Sequence, residues 1–266
     1  MRYIRFVVKL KHPILSALET CCAKSVSLVY SAEEKVKYMP KIGFSTGCLF
    51  KFLDTKESIK RFKEEGIEAI EIVAYGGITD EWVDKVFDTK LSGFEYVSLH
   101  APNVDYGNDQ KTFDLLEKIG EIDKLRKLDL VVFHPDRIID LSLFEGLDFK
   151  VGFENMDSRK ELFKTAEELH DLVDQKNFKV VLDLNHAYTN DSSLKTLFNF
   201  SRLLKANIVE IHLSGYLTWH DPLFKTRQES IIESVKGFKV PIIIESILRP
   251  EDIITERNYI LKVLGY

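Results

Sequence analysis

The 266-residue chain predicts an α/β protein: a single (β/α)8 TIM barrel with a short N-terminal extension. Three observations carry this expectation. Apolar runs recur near 42–46, 68–73, 95–100, 130–134, 150–154, 179–184, 208–213 and 241–245. Several are nearly continuous in Val, Ile and Phe rather than alternating, as strands covered on both faces are in parallel sheets. The intervening segments carry helical periodicity, and the runs start roughly 20–35 residues apart, the length of a βα unit.

The first run, IGFSTG, leads into KESIKRFKEEG (56–66), a helix that Gly66 closes as a C-terminal glycine. The second, IEAIEIVAY, encloses Glu71, read either as an interior group beside the site or as a structural one. VSLHAP precedes the helical segment KTFDLLEKIGEIDKLRKL (111–128). VVFHPD and VGFENM follow, with Asp157-Ser158 placed as the N-cap of RKELFKTAEELHDLVDQ (159–175). VVLDLNHAY is the sixth run, and Asp191-Ser192 stand as the next N-cap. VEIHLSG and PIIIES complete the set before PEDIITERNYILKVLG (250–265). An open doubly wound sheet would need a glycine-rich phosphate loop after an early strand, and neither GFSTGC nor Gly76-Gly77 provides one.

Composition sets the outer bounds. Apolar residues make up 45% of the chain, enough for a large core, and no apolar run reaches the roughly 18 residues of a membrane span. Three cysteines, two of them adjacent, make no disulfide framework, so a cytoplasmic location is expected. Residues 1–40 hold seven Lys/Arg against three Asp/Glu, which leaves thirty against thirty-nine in the rest. An acidic body argues against broad nucleic-acid binding, which depends on neutralising phosphates. The division is therefore 1–40, an extension of unknown role, and 41–266, the barrel. Lys9, Lys11, His12 and Pro13 interrupt the apolar stretch a signal peptide needs. Met39-Pro40-Lys41 directly precedes the first run, which is compatible with translation starting at Met39.

The chemistry lies at the ends of the runs. His100, His134, Glu154, Asp183, His186, His212 and Glu245 all close or directly follow one, and His220 comes next in TWHDP. In a barrel such residues meet at the C-terminal mouth. An ionisable group is costly at the end of an apolar strand without a partner. Imidazoles and carboxylates together form the ligand set of a divalent ion such as zinc or manganese. His170, in an amphipathic helix, and His12 are read as outside the site.

Runs ending in E-N, D-x-x-H, H and E, in that order, resemble the xylose isomerase-like TIM-barrel superfamily across 41–266. That superfamily includes sugar isomerases and epimerases and the endonuclease IV group. The tagatose-epimerase type implies one Mn²⁺ or similar ion on Glu154, Asp183, His212 and Glu245. Glu154 and Glu245 would then exchange protons with the sugar carbon, and His186 would hold a substrate oxygen. The endonuclease IV type implies three zinc ions: His100 and His134 join Glu154, the same four residues hold a second ion, and His186 and His220 serve a third. This chain departs from the three-zinc pattern at Thr218, where an aspartate is wanted, with Asp221 displaced from that position.

One to three divalent ions are thus implied. The leading expectation is an isomerase or epimerase of a small sugar or sugar phosphate. The alternative is an endonuclease IV-like zinc phosphodiesterase acting on abasic-site DNA or another phosphoester, and only this reading needs nucleic acid. No membrane partner is expected in either. Arg137, Arg159 and Arg249 follow strand ends and suit phosphate binding. Tyr75, Tyr188, Tyr216 and Trp219 are placed to stack on a sugar ring.

Overall fold

The computed structural model describes residues 39–266 apart from 75, 88–90 and 175–177. The expectations for the N-terminal extension through residue 38, for His12 and for Tyr75 lie outside the described residues. Eight strands close into a barrel in sequence order. They are β1 (Ile42–Ser45), β2 (Ala69–Val73), β3 (Tyr96–His100), β4 (Leu130–Phe133), β5 (Val151–Glu154), β6 (Lys179–Asp183), β7 (Ile208–Leu213) and β8 (Ile242–Ile244). Neighbouring strands pair in parallel, β8 to β1 included. β1, β2, β4, β5 and β8 are buried along their whole length, which is why these runs read as continuous rather than alternating.

Helices cover the barrel among the described residues: α1 (Thr55–Glu64), α2 (Asp80–Phe87), α3 (Gln110–Arg126), α4 (Ala166–Asp174), α5 (Leu184–Asn190), α6 (Leu197–Leu203), α7 (Leu223–Thr226), α8 (Glu229–Glu233) and α9 (Ile253–Leu264). α1 is closed at its start by a capping box between Asp54 and Glu57 and is followed by Gly66 at φ 65°, the expected left-handed glycine. No described helix is long and apolar enough to cross a membrane.

Three local expectations fail, each for a visible reason. β4 is followed by two 3-10 turns, Pro135–Arg137 and Leu141–Phe144, not by an α-helix. Phe144 packs edge-on against Tyr106, Phe133 and Phe153, so an aromatic cluster does the covering there. α4 starts at Ala166 rather than at 159. The Asp157 carboxylate accepts the Arg159 backbone N–H and its guanidinium, which makes a turn, and a Thr165–Glu168 capping box starts the helix instead. Asp191 ends α5, and its carboxylate accepts the N–H groups of Ser193 and Thr196, so it holds the turn before α6 rather than capping that helix.

One glycine is required by a close approach. Gly43 lies in register with Ala69 of β2, and a Cβ there would sit 2.1 Å from the Ala69 carbonyl oxygen. Backbone cannot yield as a flexible side chain would. Gly43→Ala is therefore expected to destabilise the barrel by about 3 kcal/mol, the upper range for overpacking, as a lower urea midpoint. An unchanged midpoint would contradict the β1–β2 register.

Candidate metal centre

Side chains alternate along a strand, so residues two apart on one strand share a face. Glu154 on β5 is where the inward-facing groups converge. Its Oε2 lies 3.0 Å from His134 Nε2 and 3.6 Å from His100 Nε2. Its Oε1 lies 3.0 Å from His212 Nδ1. His212 Nδ1 is also 3.4 Å from Glu245 Oε1. Donors about 2.1 Å from a shared ion at tetrahedral angles are about 3.4 Å apart, so this spacing suits metal ligation. Donor atoms of His100, His134 and Glu154 all lie within 4.8 Å of one another. So do those of Glu154, Asp183, His212 and Glu245. The mouth thus has the capacity for one or more divalent ions.

The electrostatics ask for added positive charge. Glu154 Oε2 and Asp183 Oδ2 are buried without a hydrogen-bond donor, a costly state for a carboxylate. Burial drives Asp183 up to about 6 against the pull of His186, and Glu154's charge adds to the rise. Burial likewise drives Glu245 well above the usual carboxylate range, reinforced by Asp183 and Glu154. Burial also opposes ionisation of Glu154, but His212, His186, His100 and His134 outweigh it and hold this carboxylate low. A cation among these carboxylates would relieve their crowding.

Asn155 ties the fifth and sixth strand ends together. Its side chain accepts from the Asp183 N–H at 2.8 Å and donates to the Asp183 carbonyl at 2.9 Å. Asp183 Oδ1 in turn accepts the His186 N–H as the N-cap of α5, which leaves Oδ2 for a ligand. His186 Nδ1 lies 2.8 Å from the Asn155 carbonyl, and Nε2 is left on the cavity side, 4.0 Å from Asp157.

Beneath the mouth, Glu71 takes the interior alternative. Its Oε2 is 3.2 Å from His212 Nε2, and Glu210 Oε1 is 3.0 Å from the same nitrogen. All three residues are fully buried. A proton on Nε2 donated to Glu210 leaves the Nδ1 lone pair facing the donor cluster, the tautomer a ligand needs. The sequence reading missed Glu210, although VEIHL carried the signal: an ionisable residue two before a ligand on one strand face. Glu210→Gln is expected to weaken metal binding about 10–100-fold, as loss of a ligand's supporting partner does. Unchanged affinity in a chelator competition would contradict this role.

His220 stands at the rim. Its Nδ1 is 2.9 Å from Ser214 Oγ and 3.8 Å from Glu245 Oε2, and its ring centre is 6.2 Å from that of His186. Thr218 offers no acid, and Asp221 is spent: its Oδ2 accepts the N–H groups of Leu217, Thr218 and Trp219. No carboxylate from this loop joins His186 and His220.

A cavity of about 910 Å³ opens above the cluster. Arg159 lines it, held by Asp157, as does Lys160, held by Asp136 and not foreseen. Arg137 pairs with Asn103 and Asp105 and Arg249 faces Glu251, and neither lines the cavity. Tyr216 and Tyr188 lie 6.3 Å apart ring to ring, also outside its lining, whereas Trp219 is within it. His170, on α4, is 3.8 Å from Asp171 and apart from the site, as expected.

No family model and no curated protein matches the chain. Solved structures do match, at low identity. Endonuclease IV from Thermus thermophilus aligns at 18% identity and TM-score 0.60, over 85% of this chain and 99% of that one. The chain shares the (β/α)8 barrel fold of these structures. A D-allulose 3-epimerase from Methylomonas sp. aligns at 15% and 0.60, over 85% and 98%. The probable 3-DHS dehydratase AsbF from Bacillus anthracis aligns at 16% and 0.59, over 86% and 99%. An endonuclease, an epimerase and a dehydratase thus share one barrel, and the likeness does not select a reaction. The clustered donors support a metal-dependent catalytic barrel.

Proposed function

We propose that this barrel hydrolyses phosphoesters with a pair of divalent ions, to both of which Glu154 would supply a ligand, zinc or manganese being suited to the donors. The observation that carries the reading is the division of Glu154: one oxygen faces His100 and His134, the other faces His212. His100, His134 and Glu154 would hold one ion, and Glu154, Asp183, His212 and Glu245 the other. A bound pair would supply charge at a phosphoryl oxygen and an activated water, the chemistry of a two-ion centre. His186 Nε2 and His220 would bind substrate oxygens at the rim. Arg159, oriented by Asp157, would face the phosphoryl group from the cavity wall.

This ordering departs from the leading expectation of a sugar isomerase or epimerase. That reaction works with one ion and gives His100 and His134 no ligand to share, whereas here both lie beside Glu154 Oε2. One observation still favours it: Glu245 lines the cavity beside His220, where a second proton-transferring carboxylate would stand. A small phosphoester fits better than duplex DNA. Both cations lining the cavity among the described residues are already paired with aspartates, which leaves little to neutralise a polyanion.

The deciding experiment offers metal-loaded protein bis(4-nitrophenyl) phosphate, abasic-site duplex DNA, and a panel of ketoses and ketose phosphates. Release of 4-nitrophenol is the expected result. Sugar interconversion without any ester cleavage would overturn the hydrolase reading.

A further inference from the structure

The cavity is more apolar than its metal-binding floor. Trp219, Phe50 and Val104 line it while keeping 47%, 48% and 45% of their surface exposed, and Met156 and Ile247 line it from buried or half-buried positions. These side chains come from four different βα connections, after β1, β3, β5 and β7, and from the segment after β8. Large apolar side chains left exposed around a concave site mark a binding surface.

Trp219 is continuous with the candidate centre. Its ring lies edge-on to His220 at 5.0 Å between centres, and His220 Nδ1 is 3.8 Å from Glu245. The loop that carries it is held in place. Asp221 accepts three of its N–H groups, and Asn185 donates to the carbonyls of Gly215 at 2.7 Å and Trp219 at 3.0 Å. A loop held in this way carries its indole to the cavity at little entropic cost to the backbone. The charge is modest by comparison: Arg159 and Lys160 keep their aspartate partners.

We infer that the substrate carries a planar aromatic group beside a single anionic reacting group, and that Trp219 is the residue that selects it. The inference rests on the phosphoester reading for the anion and on the apolar lining for the ring. A bare sugar phosphate would leave the Trp219 side of the cavity without an apolar partner. A long polyanion would find too few unpaired cations.

Calorimetry on the metal-loaded full chain tests this without turnover, with phenylphosphonate and methylphosphonate as probes. Phenylphosphonate is expected to bind about tenfold more tightly, the size of one aromatic contact. Trp219→Ala should bring the two affinities within about threefold of each other, chiefly by weakening phenylphosphonate, whereas Trp219→Phe should keep the preference. Equal affinity for the two probes in the wild-type protein would overturn the inference, as would a Trp219→Ala variant that keeps the full gap or weakens both probes alike. Preference for phenylphosphonate with no hydrolysis of bis(4-nitrophenyl) phosphate would instead count against the hydrolase reading and leave the aromatic preference standing.

Discussion

Glu154→Gln is expected to cut ester hydrolysis by roughly a thousandfold or more, the order lost when a group that stabilises a transition state is removed. The oxygens of Glu154 face different candidate ligands, His100 and His134 on one side and His212 on the other. A neutral amide offers one weak oxygen donor and one nitrogen that cannot ligate. It therefore removes a donor from both groups at once and takes away the negative charge between two cations. Metal content should fall by more than one ion per chain. The fold should survive, since Gln is nearly isosteric and one buried charge is removed; circular dichroism of the variant checks this. Glu154→Gln with full metal content and normal turnover would show that Glu154 bridges nothing.

His134→Ala separates the two ions. His134 follows β4 with its Nε2 3.0 Å from Glu154 Oε2, and it belongs to the first donor group only, whereas Asp183, His212 and Glu245 belong to the second. The expected result is loss of one ion, retention of the other, and turnover reduced by more than about a hundredfold, the upper end of what losing even a supporting partner of a metal costs. A sugar isomerase working with a single ion would lose little. Near-normal turnover would make His134 a bystander and return the isomerase reading to first place.

The strands were legible because burial on both faces leaves nearly unbroken apolar runs, and the eight observed strands fall within a residue or two of those runs. The polar strand ends were legible for the same reason: an ionisable group there stands out against its neighbours. Glu210 was missed because one acidic residue inside a strand reads as solvent-facing unless its spacing of two from His212 is used. Asp157 resembles a helix cap in sequence, and only the Arg159 guanidinium across its turn shows that it anchors a cavity residue instead. The arginines illustrate the remaining limit. Arg137, Arg159 and Arg249 follow strands in similar ways, yet Arg137 meets Asp105, far away in sequence, while Arg159 and Arg249 meet acids two residues off, Asp157 and Glu251. Thr218 was informative at both levels. The aspartate it replaces is missing in sequence, and the structure shows that Asp221 is consumed by backbone N–H groups of its own loop.

Anomalous diffraction from crystals of the metal-loaded protein shows whether a pair of ions shares Glu154. Two peaks on either side of the Glu154 carboxylate are expected, about 3.5–4 Å apart as in two-ion hydrolytic centres. A single peak among Glu154, Asp183, His212 and Glu245, with His100 and His134 bearing no metal at saturating concentration, would contradict it.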